Sequence, residues 1–194
     1  SIVHANRNTH FGRSHNFAAI DDCSSFMQNV PVHTYEHLRS QIHAQGQSRE
    51  PVLTAAMPVM YNQTSGTTGK PKYIPVLQQN LDALKRSQHI FSYMQYRARP
   101  EAFDGKLLGL VSPAIDGYLE NGIPYGSASG HIYKTMPKIA RAKYVLPIEV
   151  FEITDYDSKY YIIALLALAE ENIPYFGPAN PSPCHRLLEV INQQ

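Results

Sequence analysis

Apolar residues recur at helical spacing through the middle of the chain. Leu77, Leu81, Leu84, Phe91 and Met94 lie three or four residues apart, or at multiples of that spacing. They predict a helix over 78–99 with one buried stripe. Pro100 ends it, since the residue before a proline is disfavoured from helical geometry. Upstream, Thr34 is a suitable N-cap for a helix running to about Gln47, and Glu36 suits the positive end of its dipole. A third helix is predicted near 158–171. A last one begins at an Asn180 or Ser182 cap, with Pro183 near its first position.

Short extended runs separate these helices. Pro51-Val52-Leu53, Val59-Met60-Tyr61 and Tyr73-Ile74-Pro75-Val76 are three of them. Residues 107–111 are apolar enough for a buried strand, and 173–177 read as another. Residues 1–32 read as irregular and polar. Strands alternating with helices predict an α/β layer fold.

The length, 194 residues, suits one large domain or a substantial part of a larger one, and an apolar content of 43% allows a buried core. A net charge of +1 gives no electrostatic case for nucleic acid or an anionic membrane, so neither is expected as a partner. The basic residues of 134–143 read as a solvated face. The longest apolar run, 160–169, is too short to span a bilayer and ends in Glu170-Glu171. Cys23 and Cys184 leave a disulfide open, but so few cysteines fit a reducing, cytoplasmic compartment better. The first residues lack the basic start and apolar stretch of a signal peptide. Both ends fall inside apparent helical patterns, which leads us to expect a fragment.

One segment carries a chemical signal. Thr64-Ser65-Gly66-Thr67-Thr68-Gly69-Lys70-Pro71-Lys72 combines glycines for tight turns and close backbone approach with hydroxyl donors and two cations. That composition can cradle a polyphosphate. A Walker A loop needs glycine at 64 and Ser or Thr at 71, where Thr64 and Pro71 stand, so that motif is excluded.

The segment resembles the phosphate loop of adenylate-forming enzymes, S/T-S-G-T-T/S-G-x-P-K, at every position. Tyr73-Ile74-Pro75 after it resembles the GH3 branch of acyl-acid amido synthetases. Two further stretches are similar to that family: Val30-Pro31-Val32-His33-Thr34-Tyr35-Glu36-His37-Leu38, and Asn8-Thr9-His10-Phe11-Gly12-Arg13-Ser14-His15. Tyr175-Phe176-Gly177-Pro178-Ala179-Asn180-Pro181-Ser182 resembles bacterial members.

The resemblance implies part of the large N-terminal domain of an adenylate-forming, luciferase-like enzyme, with residues 1–194 forming a partial adenylation domain. The family's adenine-stacking segment, ribose-binding carboxylate and C-terminal lid have no counterpart in these residues, so the chain alone is expected to turn nothing over. The implied reaction joins a small carboxylic acid to an amine, often an amino acid, through an acyl-adenylate. ATP and Mg2+ are the implied cofactors. Thr64, Ser65, Gly66, Thr67, Thr68 and Gly69 would bind the nucleotide, and Lys72 would be catalytic, since it occupies the family's constant position. Lys70 occupies a variable one and is expected to face solvent. Two other classes stay open: an acyl-CoA ligase with a thiol acceptor, and a nucleotide-binding module without turnover.

Other candidates are weaker. His33 and His37 have the spacing of two helical zinc ligands but no third partner, so they read as a solvated helix start and no metal site is assigned. Asp155-Tyr156-Asp157 reads as a turn leading into a helix capped by Asp157 or Ser158. The Gly126–130 loop reads as a turn ahead of an acyl-pocket lining. Arg97 is a candidate for meeting a substrate carboxylate.

Overall fold

The computed structural model describes residues 1–64, 70–178 and 181–192. In chain order the helices and strands open with α1 (Ile2–Ala5), α2 (His10–Ser14), α3 (Cys23–Asn29) and α4 (Tyr35–Gln47). There follow β1 (Met60–Thr64), β2 (Lys72–Val76), α5 (Gln78–Ala98), β3 (Leu107–Leu110), β4 (Gly117–Tyr118) and β5 (Pro124–Gly126). The series ends with α6 (Ala128–Thr135), α7 (Lys138–Arg141), α8 (Ile148–Phe151), α9 (Tyr156–Ala169), β6 (Tyr175–Pro178) and α10 (Pro181–Asn192). The fold is mixed α/β, as the alternation of patterns implies. It divides into two compact units, Ser1–Leu81 with Gly117–Tyr125, and Asp82–Asp116 with Gly126–Gln194.

The first unit is built on a sheet of order β2-β1-β5-β4, in which β1 and β2 form an antiparallel hairpin. Met60 and Tyr61 of β1 are buried, while its last three positions are half-buried. Helix α4 begins where the sequence predicts, with Thr34 as N-cap and the Thr34 N–H donating to His37 Nδ1 at 3.2 Å. Its far end is fixed by Gln45, which is fully buried. Gln45 Oε1 accepts from the N–H groups of Leu53 and Thr54, at 2.7 and 3.3 Å, and Nε2 donates to Thr54 Oγ1 at 2.8 Å.

Residues 1–32 are not irregular. Thr9 caps α2 by accepting from Gly12 N–H, and Asp22 caps α3 by accepting from Ser25 N–H at 2.8 Å. These helices are one or two turns long, too short for a hydrophobic period to register, and their caps do the work of defining them. Residues 51–53 do not form a strand. Their Pro51 and Val52 carbonyls instead accept from His10 and Phe11 N–H, at 3.1 and 2.9 Å.

In the second unit, β3 and β6 run parallel with Leu107 opposite Tyr175. All four β3 residues are buried, which is why that strand reads as an unbroken apolar run. Leu108 and Leu110 pack with Tyr133, Leu146, Phe151 and Ile163. Helix α9 is capped by Asp155, whose carboxylate accepts from Ser158 N–H at 2.7 Å. Asp157, one of the two caps expected, pairs instead with Arg186 of α10 at 2.5 Å. Asn180, expected to cap the last helix, lies outside the described residues.

Two further expectations need correction. No residue of α5 is buried, and Phe91 and Met94 are 57% and 54% exposed. The period identifies an apolar face, but burial also requires a surface to pack against it, and the described residues do not cover its C-terminal half. The loop at 126–130 is not a free turn: β5 ends at Gly126, Ser127 is an N-cap, and Ala128 opens α6. Gly130 is required there because the Ser112–Ala114 backbone crosses directly over its Cα. Among the described residues no helix is long and apolar enough to cross a membrane.

Candidate functional site

The hairpin of β1 and β2 brings the two ends of the glycine-rich loop together. Thr64, the last residue of β1, is the register partner of Lys72, the first residue of β2. Ser65, Gly66, Thr67, Thr68 and Gly69 lie outside the described residues. Lys70 and Pro71 are exposed, and Lys72 is half-buried. So the structure joins the first and last residues of the motif at the mouth of one hairpin.

Helix α4 supports the descending limb of this loop. The Tyr35 hydroxyl accepts from Tyr73 N–H at 2.8 Å. Arg39 Nη1 donates to the Pro71 carbonyl at 3.3 Å. Lys72 Nζ stands 5.5 Å from the centre of the Tyr35 ring, and the Arg39 guanidinium carbon 4.8 Å from it, both within cation–π range. Arg39 also grips Glu36 through both guanidinium nitrogens available to it, Nε to Oε2 at 2.8 Å and Nη2 to Oε1 at 2.9 Å. That bond, with the added charges of Arg39, Lys72 and Lys70, holds the Glu36 carboxyl below its ordinary range.

Arg39, Lys70 and Lys72 place positive charge near Glu36 at this end of the hairpin, and the Glu36 carboxylate, bound by Arg39, offsets part of it. Burial pushes the Tyr73 phenol up, and the neighbouring Tyr125 phenol, whose ring lies edge-on at 5.1 Å, adds to the effect electrostatically. A cavity of about 600 Å³ opens beside α4, with Tyr35, Ile42, Tyr73, Leu119 and Glu120 among its walls. These walls suit apolar groups better than phosphate.

Sequence reasoning marks Glu36 only as a partner of the helix dipole and gives Tyr35 and Arg39 no role. The signal was present in the Thr34-Tyr35-Glu36 match, but a match does not say what its residues touch. His33 and His37 take structural parts: Nδ1 of His33 lies 2.6 Å from the Pro31 carbonyl, and His37 receives the Thr34 N–H. Among the described residues no three His, Cys, Asp or Glu side chains are grouped to hold a metal. Arg97 is exposed in the last turn of α5.

Comparison with known proteins supports this reading of the fold. The family described as the GH3 family N-terminal domain matches residues 1–194. Among solved structures, a GH3.15 acyl acid amido synthetase superposes with a TM-score of 0.75 at 22% identity, over 89% of this chain and 30% of that one. AtGH3.15 acyl acid amido synthetase in complex with 2,4-DB gives a TM-score of 0.84 at 22% identity, over 99% of this chain and 34% of that one. The chain thus spans about a third of the length of these two structural relatives. No curated protein gives a significant sequence match. With the family match covering every residue and the same architecture in both relatives, the chain belongs to the GH3 family, in its N-terminal domain.

Proposed function

We propose that the protein carrying this chain uses ATP to convert a carboxylic acid into an acyl-adenylate, which an amine, such as that of an amino acid, then attacks to give an amide. The observation that carries the proposal is the Thr64–Lys72 pairing, which closes a phosphate-loop sequence at the mouth of a hairpin with cations at its foot.

In the first step the acid's carboxylate oxygen attacks the α-phosphorus of ATP and the bond to the bridging oxygen of pyrophosphate breaks. A carboxylate is already ionised at neutral pH, so this step needs no general base. Charge moves onto the departing β- and γ-phosphates. Lys72 is the residue we assign to oppose it, with the hydroxyls and amides of Thr64, Ser65, Gly66, Thr67, Thr68 and Gly69 holding the phosphates. Magnesium enters as the counter-ion of the nucleotide. In the second step the neutral amine nitrogen attacks the acyl carbon, the bond from that carbon to the AMP phosphate oxygen breaks, AMP leaves and the nitrogen gives up a proton to solvent. The first step depends on positioning rather than on proton transfer.

The test is ATP–pyrophosphate exchange by the full-length protein across a panel of carboxylic acids, with 2,4-DB included because one relative was solved with it. Acid-dependent exchange, followed by AMP release that depends on an added amine, is the expected result. Exchange with no acid in the panel would overturn the proposal. Acyl transfer to coenzyme A rather than to an amine would keep the first step and replace the second.

A further inference from the structure

We infer that Tyr35 is a positioning residue for Lys72, pinning the backbone beside it and holding its ammonium at the foot of the loop. The inference rests on the phosphate-loop reading above.

β2 is the outermost strand of its sheet, so on the side away from β1 its backbone groups have no neighbouring strand. At Tyr73 the Tyr35 hydroxyl takes that place. It accepts the Tyr73 N–H at 2.8 Å and lies 3.4 Å from the Tyr73 carbonyl. The first distance is that of a good hydrogen bond and the second is long, so the N–H bond supplies the restraint. Tyr73 follows Lys72 directly, and fixing its backbone fixes the direction from which the Lys72 side chain departs.

The ring acts on the other end of that side chain. Lys72 Nζ lies 5.5 Å from the ring centre. A lysine ammonium on a flexible four-carbon stem otherwise samples many positions. Such a contact in a half-exposed setting is weak, and a charge-assisted bond to phosphate is stronger. The ammonium therefore leaves the ring for the pyrophosphate oxygens when ATP is bound, and returns between turnovers. Arg39, one helical turn further along α4, adds its bond to the Pro71 carbonyl, so α4 contacts residues 71, 72 and 73 in succession.

The test is a double-mutant cycle in the full-length protein, read by ATP–pyrophosphate exchange with the best acid of the panel, and by hydrogen exchange over residues 70–76 without nucleotide. Tyr35→Leu should lower turnover about tenfold with little change in the KM for ATP, and should cost nothing further in a Lys72→Ala background. Tyr35→Phe keeps the ring and loses the hydroxyl. It should speed exchange of the Tyr73 amide and lower turnover less. If Tyr35→Leu does not fold, Tyr35→Phe with Lys72→Ala completes the same cycle. An equal loss with and without Lys72 would overturn the inference and leave Tyr35 a purely structural residue, with the phosphate-loop reading intact. Full turnover in Tyr35→Leu would overturn it as well. Full turnover in Lys72→Ala would remove the phosphate-loop role of Lys72 and the inference together, a result distinct from the other two.

Discussion

Thr64 and Lys72 sit opposite each other on the final rung of the β1–β2 ladder, so the ends of the segment between them are held together by the sheet. The cross-strand distance at such a rung is about 5 Å, which fixes where the loop must begin and return. Lys72 therefore projects from a strand end rather than from the loop itself. Removing one well-placed electrostatic donor costs roughly two to three orders of magnitude in turnover. Lys72→Ala should do so while changing the apparent affinity for ATP far less, because charge grows on pyrophosphate only as the bond breaks. Lys70→Ala, at an exposed position, should do little. Pyrophosphate release at saturating ATP for both variants decides it: equal losses would reassign the role.

Gln45→Ala should be strongly destabilising. Its side chain is fully buried and supplies the acceptor for two backbone N–H groups, those of Leu53 and Thr54. Alanine leaves both half-buried groups without that partner, at about 1–3 kcal/mol in all. A urea titration should show a lower midpoint with an unchanged slope, and an unchanged midpoint would mean that water replaces the amide without loss.

Gly130→Ala should destabilise, against the usual helix preference for alanine. A Cβ at Gly130 would collide with the Ser112 carbonyl and lie 2.5 Å from Ala114 N and 2.7 Å from the Pro113 carbonyl carbon. These are backbone atoms, which cannot swing aside as a flexible side chain would. The expected cost is about 1–3 kcal/mol, and a thermal melt that rises on substitution would refute the packing argument.

Tyr133 gives the second unit an alkaline limit. The residue is 2% exposed, its hydroxyl donates to the Leu146 carbonyl, and burial pushes its phenol up to about 12, with Tyr144 adding to the shift. A folded-state value above the unfolded value of about 10 means that the stabilisation is complete below pH 10 and is lost as pH rises toward 12. A shift of that size corresponds to roughly 2–3 kcal/mol. Tyr133→Phe should be about 1 kcal/mol less stable at neutral pH, through the lost hydrogen bond, yet decline less steeply above pH 10. Tyr160, buried in the same unit and with its phenol also pushed up by burial, leaves part of the slope in place. Denaturant midpoints at pH 8, 10 and 11 for both proteins check the sign.

The sequence is most informative where a local rule decides the structure. Thr34 starts α4, and the length of α5 and the extended pair around the loop follow from caps, periods and turn residues. It is least informative where the partner is distant. Gly117–Tyr118 and Pro124–Gly126 are too short to signal strands; they pair with each other, and only Pro124–Gly126 connects them to the sheet, through β1, which is far away in sequence. Phe91 and Met94 show the limit from the other side, since a period defines a face without supplying what covers it. At the candidate site the motif marked Lys72. The contacts of Tyr35 and Arg39 with it cross more than thirty residues of chain, and no spacing rule spans that gap.

The two units interleave along the chain, and this constrains the order in which the newly made protein can fold. The first unit needs residues up to Tyr125 before β4 and β5 can join its sheet, by which time Asp82–Asp116 has already emerged. That segment contains β3, an apolar strand buried along its whole length in the finished fold. Its partner β6 is synthesised only after α6 to α9. Parallel pairing across so long a loop is slow, because closure entropy must be overcome before the contacts form. During that interval Leu107, Leu108 and Leu110 are available to any other exposed strand edge, which makes β3 the point where aggregation competes with folding.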